Sequence, residues 1–167
     1  MQQVLHRYQQ LASKQKSLRL YALVDGFQYE QHTAKRIAPQ AGANRALFAG
    51  TEDEPLAHAG PWLYDIAAYG DSASIMSELS TLEVVLPSVS WLMAAVDLEG
   101  LTQILQVKLN TALPDGRRSL LRFYDPRVLG NLFHVMNAEQ RTEFSHFVDE
   151  WHFIYNGERV WIGRENA

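Results

Sequence analysis

Arg122-Phe123-Tyr124-Asp125-Pro126-Arg127-Val128-Leu129 is the stretch whose local structure decides the fold. With Leu120 and Leu121 ahead of it, apolar residues populate both faces of an extended segment, as in a strand covered on both sides. Asp125-Pro126 then matches a helix start. Aspartate as N-cap accepts a backbone N–H, and proline at the first helical position needs none. The stretch therefore predicts a central strand, Leu120 to Tyr124, feeding a helix at Pro126. In this reading Arg122, Asp125, Pro126 and Arg127 form a structural motif, with Asp125 and its flanking arginines as mutual partners.

Upstream, Pro114-Asp115-Gly116 is a strong turn signal that returns the chain into this strand. Before it, Leu98, Leu101, Ile104, Leu105 and Leu109 keep helical spacing behind Asp97 as N-cap, predicting a helix from Asp97 to Leu109. Leu82 to Trp91 is strand-like but contains Pro87, so it reads as an edge strand or as two pieces. Ser72 to Leu79 reads as a short helix. Gly60-Pro61 is a break that opens an apolar, aromatic strand through Ile66. Residues 27–60 carry the least pattern, with one short strand at Ala46–Ala49. Leu20-Tyr21-Ala22-Leu23-Val24 is apolar throughout and predicts a buried strand ended by an Asp25-Gly26 turn. Met1 to Gln15 carries one apolar stripe, Val4, Leu5, Tyr8, Leu11 and Ala12, and predicts an amphipathic helix.

Downstream, the helix from Pro126 runs to about Met136, and a second begins at Asn137 with Gln140 completing a capping-box variant. Phe144, Phe147, Val148 and Trp151 line its inner face, so that Trp151 stands at the boundary between this helix and the strand that follows, placed to within a few residues. The chain then forms a β-hairpin, Trp151–Tyr155 and Glu158–Ile162, around Asn156-Gly157, the preferred pair for a two-residue turn with positive φ at both positions. That register places Phe153 opposite Val160 and Trp151 opposite Ile162 on one face. His152 faces Trp161, and Ile154 faces Arg159, on the other. The fold class is α/β, with α+β open: a mixed central sheet flanked by helices, with a C-terminal β-hairpin. The 167 residues, 47% of them apolar, suit a single domain over 1–167.

Composition excludes several functions. A net charge of −4 disfavours binding to nucleic acid or to an anionic membrane, which need a basic field. The absence of cysteine removes disulfides, thiol catalysis and cysteine-ligated metals, and fits the cytoplasm. The N-terminus lacks the apolar core of a signal peptide, and no apolar run approaches the roughly 18–20 residues of a membrane span. His6, His32, His58, His134, His146 and His152 form no pair at metal-binding helical spacing, so neither a metal nor a cofactor is expected. Phosphate-cradling glycine motifs and a Gly-x-Ser-x-Gly elbow are missing as well. The one enzyme candidate is a carboxylate pair. Asp25 and Asp125 both follow predicted buried strands and would share a site with Arg122 or Arg127 if those strands were parallel neighbours. The simpler alternative makes Asp25 a turn residue and Asp125 a helix cap, and no catalytic residue is assigned. For partner binding, the outward face of the hairpin, Ile154, Arg159 and Trp161, combines the usual interface anchors with an edge strand open to pairing.

The order of these pieces resembles the family of type VI secretion effector adaptor chaperones, the Tap/Tec or VasW-like proteins. The resemblance lies in Leu20 to Gly26, Gly60-Pro61-Trp62-Leu63, the Ser90-Trp91 strand, the helix from Asp97, the Asp115-Gly116 turn and Leu121 to Leu129. It spans about residues 18–150, with the hairpin at about 151–162 following. It implies a non-enzymatic cytoplasmic protein of a Gram-negative bacterium that binds a cognate effector and helps load it onto the VgrG spike. Many members carry a further C-terminal lobe, and here the chain ends soon after the shared core. Either this is a short member of the family or selectivity lies in the terminal hairpin and in residues 27–60. The alternatives are a small α/β hydrolase using Asp25 and Asp125, or an immunity-type protein that binds a toxin.

Overall fold

Leu20 through Asp25 are all buried because their strand lies inside a sheet with helices over both faces. The computed structural model describes residues 1–112, 116 and 118–163. The chain runs α1 (Gln2–Lys14), β1 (Arg19–Asp25), α2 (Gly26–Thr33), β2 (Asn44–Ala46), β3 (Pro61–Asp65), α3 (Ser72–Val85) and β4 (Val89–Ala94). It continues through α4 (Leu98–Leu109), β5 (Asn110–Ala112), β6 (Arg118–Leu120), α5 (Pro126–Val135), α6 (Ala138–Ser145), β7 (Glu150–Tyr155) and β8 (Glu158–Gly163).

The main sheet has the order β2-β3-β1-β4-β7-β8, and each of its pairings is antiparallel. Side chains alternate across the strands with period two and divide the core into two clusters. Leu20, Ala22, Val24, Trp62, Tyr64, Trp91 and Met93 face Val4 of α1 and Leu79 and Leu82 of α3. Tyr21, Leu23, Leu63, Leu92, Trp151 and Phe153 face Leu101 and Leu105 of α4, Leu129 and Phe133 of α5, and Phe144 of α6. The result is three layers, helix–sheet–helix, as the α/β pattern predicts. The hairpin forms with the expected register, His152 opposite Trp161 and Ile154 opposite Arg159. Asn156 and Gly157 have φ of 52° and 82°.

The opening stretch departs from expectation. Leu120 to Tyr124 is not a central strand. β6 ends at Leu120 and pairs only with β5, in a separate two-stranded sheet. Beyond it the backbone turns twice: the Phe123 N–H donates to the Leu121 carbonyl (2.9 Å), and the Asp125 N–H to that of Arg122 (3.0 Å). Apolar residues there do not alternate between two covered faces. The turns drive Phe123 and Tyr124 into the core beneath α5, while Leu120 stays exposed. The Phe123 ring meets Phe144 and Trp151 edge-on at centroid distances of 5.9 and 5.8 Å.

Three boundaries shift for physical reasons. Leu82–Val85 completes α3, because Leu79, Leu82 and Glu83 bury one helical face. Pro87 lies in the connection after it, and β4 occupies the sheet interior between β1 and β7. The short strand near Ala46 begins at Asn44, and the chain turns after Ala46. Asp25-Gly26 opens a helix: Asp25 accepts the Gln28 N–H, and Gln28 Nε2 returns to the same carboxylate at 3.2 Å. Pro114 and Asp115 of the expected turn lie outside the described residues; Gly116 has φ of 80°.

Gly26 packs against the residue 58–60 segment, its N–H donating to the Gly60 carbonyl at 3.0 Å. A Cβ at this position would stand 2.6 Å from both the Gly60 and His58 carbonyl oxygens, which are backbone atoms unable to rotate away. Gly26→Ala is expected to lower unfolding stability by about 1–3 kcal/mol, measured by urea denaturation. Wild-type stability in that variant would show that the contact yields freely.

Candidate functional site at the helix junctions and the terminal hairpin

Asp25 ends β1 and Asp125 precedes α5, and both carboxylates are buried. Each is an N-cap. Asp25 Oδ1 accepts the Gln28 N–H at 3.1 Å, and Arg122 Nη2 lies 3.7 Å from its Oδ2. Asp125 Oδ1 accepts the Arg127 N–H at 2.9 Å and Arg127 Nε at 3.0 Å, while Oδ2 accepts Nη2 at 2.7 Å. The Asp125 hydrogen bond and charge, with a smaller contribution from Asp25, raise the Arg127 guanidinium further above its ordinary range. Arg122 also lies over the Tyr124 ring, 5.6 Å from its centroid. Arg122, Asp125 and Arg127 thus gather beside Asp25, and both carboxylates act on Arg127 and Tyr124 through their charge. Each is consumed by its own helix, with Pro126 at the first position of α5. Both carboxylates are thus engaged by N–H donors of their own helices and, for Asp125, by the Arg127 guanidinium.

The hairpin residues sit in a different setting. Glu83 of α3 is buried and pairs with Arg159, whose Nη2 donates to its Oε2 at 2.7 Å. The Arg159 side chain is only 15% exposed, so the guanidinium is engaged inside the protein. Removing one member of a buried pair of this type costs about 3–5 kcal/mol, because the other charge is left unpaired. Beside it, Glu150 of β7 accepts Arg7 Nε of α1 at 2.6 Å and faces His152 Nε2 at 2.8 Å. His152 is buried, stacks on Trp161 at 6.2 Å between centroids, and has no hydrogen-bond partner at Nδ1 among the described residues. Burial pushes its pKa down, opposed in part by Glu150. Ile154 and Trp161 remain half-buried on the same face.

This charged cluster was not legible from sequence. Glu83 and Arg159 are 76 residues apart, and Arg7 and Glu150 are 143 apart, so no local pattern links them. Asp25 as a helix cap did have a signal, the Asp-x-x-Gln spacing to Gln28 that marks a capping box.

β8 is the last strand of the sheet. In a two-residue hairpin the pair flanking the turn is hydrogen-bonded, and such pairs recur at every second residue. The N–H and C=O groups of Arg159, Trp161 and Gly163 therefore point away from β7, toward an edge that no other described strand covers. Among the described residues, no three His, Asp or Glu side chains gather as a metal site, and no helix is long and apolar enough to cross a membrane.

A family model described as Domain of unknown function (DUF4123) matches residues 20–143. No curated protein and no solved structure matches the chain.

Asp125→Ala removes a cap and leaves Arg127 without its carboxylate. Its expected cost is about 0.5–2 kcal/mol in unfolding free energy, measured by chemical denaturation; an unchanged midpoint would contradict the capping role. His152 gives a pH dependence. Its folded pKa lies below the unfolded value of about 6.5, so the unfolded chain binds more protons between the two values. Stability is full above that range and falls as pH drops through about 6.5 toward the folded value. His152→Gln should flatten this part of the profile in thermal melts across mildly acidic buffers.

Proposed function

The chain belongs to the DUF4123 family, which includes the Tap/Tec and VasW-like type VI secretion effector chaperones, and from this we propose that it is an adaptor that binds a cognate effector and promotes its loading onto the VgrG spike. It acts in the cytoplasm of a Gram-negative bacterium, before firing. The family match carries the proposal: it covers β3, β4, nearly all of β1 and the Arg122–Leu129 stretch, in a family not known for enzymes. The geometry is compatible with the role, because Asp25 and Asp125 are spent on capping and β8 is the last strand of the sheet among the described residues.

The effector contact is assigned to the hairpin face of Ile154, Arg159 and Trp161. An extended segment of the partner lies along β8, the last strand of the sheet among the described residues, and Ile154 and Trp161 supply apolar contact. Arg159 serves this surface indirectly, by fixing the hairpin against Glu83 of α3. Arg159→Ala is therefore a poor probe of binding, since it disturbs the fold.

The test is co-purification of tagged protein from its native cell at low salt, with mass spectrometry of what is retained. An effector and a spike protein are expected. Retention of neither, together with unimpaired effector delivery in a deletion strain, would end the proposal. Trp161→Ala should weaken effector retention on the order of tenfold or more while the protein stays folded. Undiminished retention would move the contact away from the hairpin.

A further inference from the structure

Lys108, in the last turn of α4, lies in a setting unusual for a lysine. Its ammonium is held over two aromatic rings, 5.0 Å from the Phe144 centroid and 5.1 Å from that of Phe147. Its one hydrogen bond among the described residues is a long one, 3.4 Å to the Glu143 backbone carbonyl. No described carboxylate forms an ion pair with it. Burial lowers its pKa, and the charge of Glu143 opposes that shift.

The side chain lines a groove of about 430 Å³ at the end of α4, beside α5 and α6. Leu121, Leu132, Met136 and Phe144 form apolar walls, and Glu143 lines the groove beside them. Leu121, Leu132 and Met136 are half-buried and pack against the core, so the walls are anchored from behind. A lysine with only a solvation role would extend into water. Here the cation is already oriented and partly stripped of water, and among the described residues it forms no ion pair within contact distance. An incoming carboxylate would thus compete with the more distant Glu143 charge in a medium where charges interact more strongly than in water. Two amides, Asn110 and Gln140, stand beside the apolar walls. Gln140 Oε1 is taken by the Asn137 N–H at 3.0 Å, which leaves its Nε2 for another acceptor. Amides of this kind suit the main chain of a peptide and have no use for a fatty-acid chain.

We propose that this groove binds a peptide segment of a protein partner that carries an aliphatic side chain and a carboxylate within one helical turn of each other. The aliphatic group enters between Leu132 and Met136, and the carboxylate pairs with Lys108. The groove lies across the sheet from Ile154 and Trp161, so it and the hairpin face are separate surfaces. The inference deepens the adaptor proposal and rests on it for the partner being a protein.

The test uses the full chain and two labelled helix-forming peptides, followed by fluorescence anisotropy. One carries leucine and glutamate four positions apart; the other has glutamine in place of glutamate. The glutamate peptide is expected to bind about tenfold more tightly. Lys108→Met should abolish the difference and Lys108→Arg should keep it, with thermal melts confirming that each variant is folded. Glu143→Gln leaves the lysine in place and removes a competing acid, so it should strengthen binding of the glutamate peptide. Equal binding of the two peptides, no binding of either at millimolar concentration, or a preference that survives Lys108→Met would overturn the proposal. Native co-purification separates this failure from failure of the adaptor role. Partners retained by Lys108→Met at the wild-type level would remove the groove and leave the adaptor standing. A wild-type protein that retains no partner would remove the adaptor, while the peptide preference would still be measurable.

Discussion

A carboxylate buried at the end of a strand must find hydrogen bonds inside the protein or cost several kcal/mol. Asp25, Asp65 and Asp125 are all buried at the start of a helix or helical turn, and all accept a first-turn N–H. Each also has an arginine beside it: Arg122 by Asp25, Arg19 on Asp65 and Arg127 on Asp125. Their positions are therefore fixed twice, by the following helix and by a guanidinium at the surface. Because Arg122 reaches toward Asp25 while Asp125 holds α5, the Arg122–Leu129 stretch is tied both to β1 and to its own helix. The two turns that bury Phe123 and Tyr124 are held between those ties.

The two sides of the sheet are secured differently. On the α4–α6 side the contact is almost wholly apolar, with Phe123, Phe144 and Trp151 interlocked as aromatic rings. On the other side the hairpin meets α1 and α3 through charge: Arg7 to Glu150, and Arg159 to Glu83. A buried ion pair adds little net stability over an apolar one, but it tolerates few alternative placements. It thus fixes where the edge hairpin sits against the helices.

What could be foreseen from sequence follows from how local each signal is. β1 was legible because a strand covered on both faces is apolar at every position. The hairpin was legible because Asn156-Gly157 sets its register through two residues. Asp97, Asp125 and Asn137 announce their helices for the same reason, since a cap needs only its own first turn. Leu120–Tyr124 misled because a run of apolar residues looks alike whether a sheet covers both faces or a double turn tucks two rings under a helix. Leu82–Val85 misled because Val84 and Val85 favour strands, whereas the buried spacing of Leu79, Leu82 and Glu83 is helical. The Lys108 groove and the Glu83–Arg159 pair depend on elements brought together only by the finished fold, and no stretch of sequence carries them.

The contact between Arg7 and Glu150 joins a segment before residue 20 to one after residue 143, the limits of the family match. The two ends of the chain that lie outside the shared pattern are thus physical neighbours at one margin of the molecule. Changes in one can be answered by changes in the other without disturbing the buried strands between them.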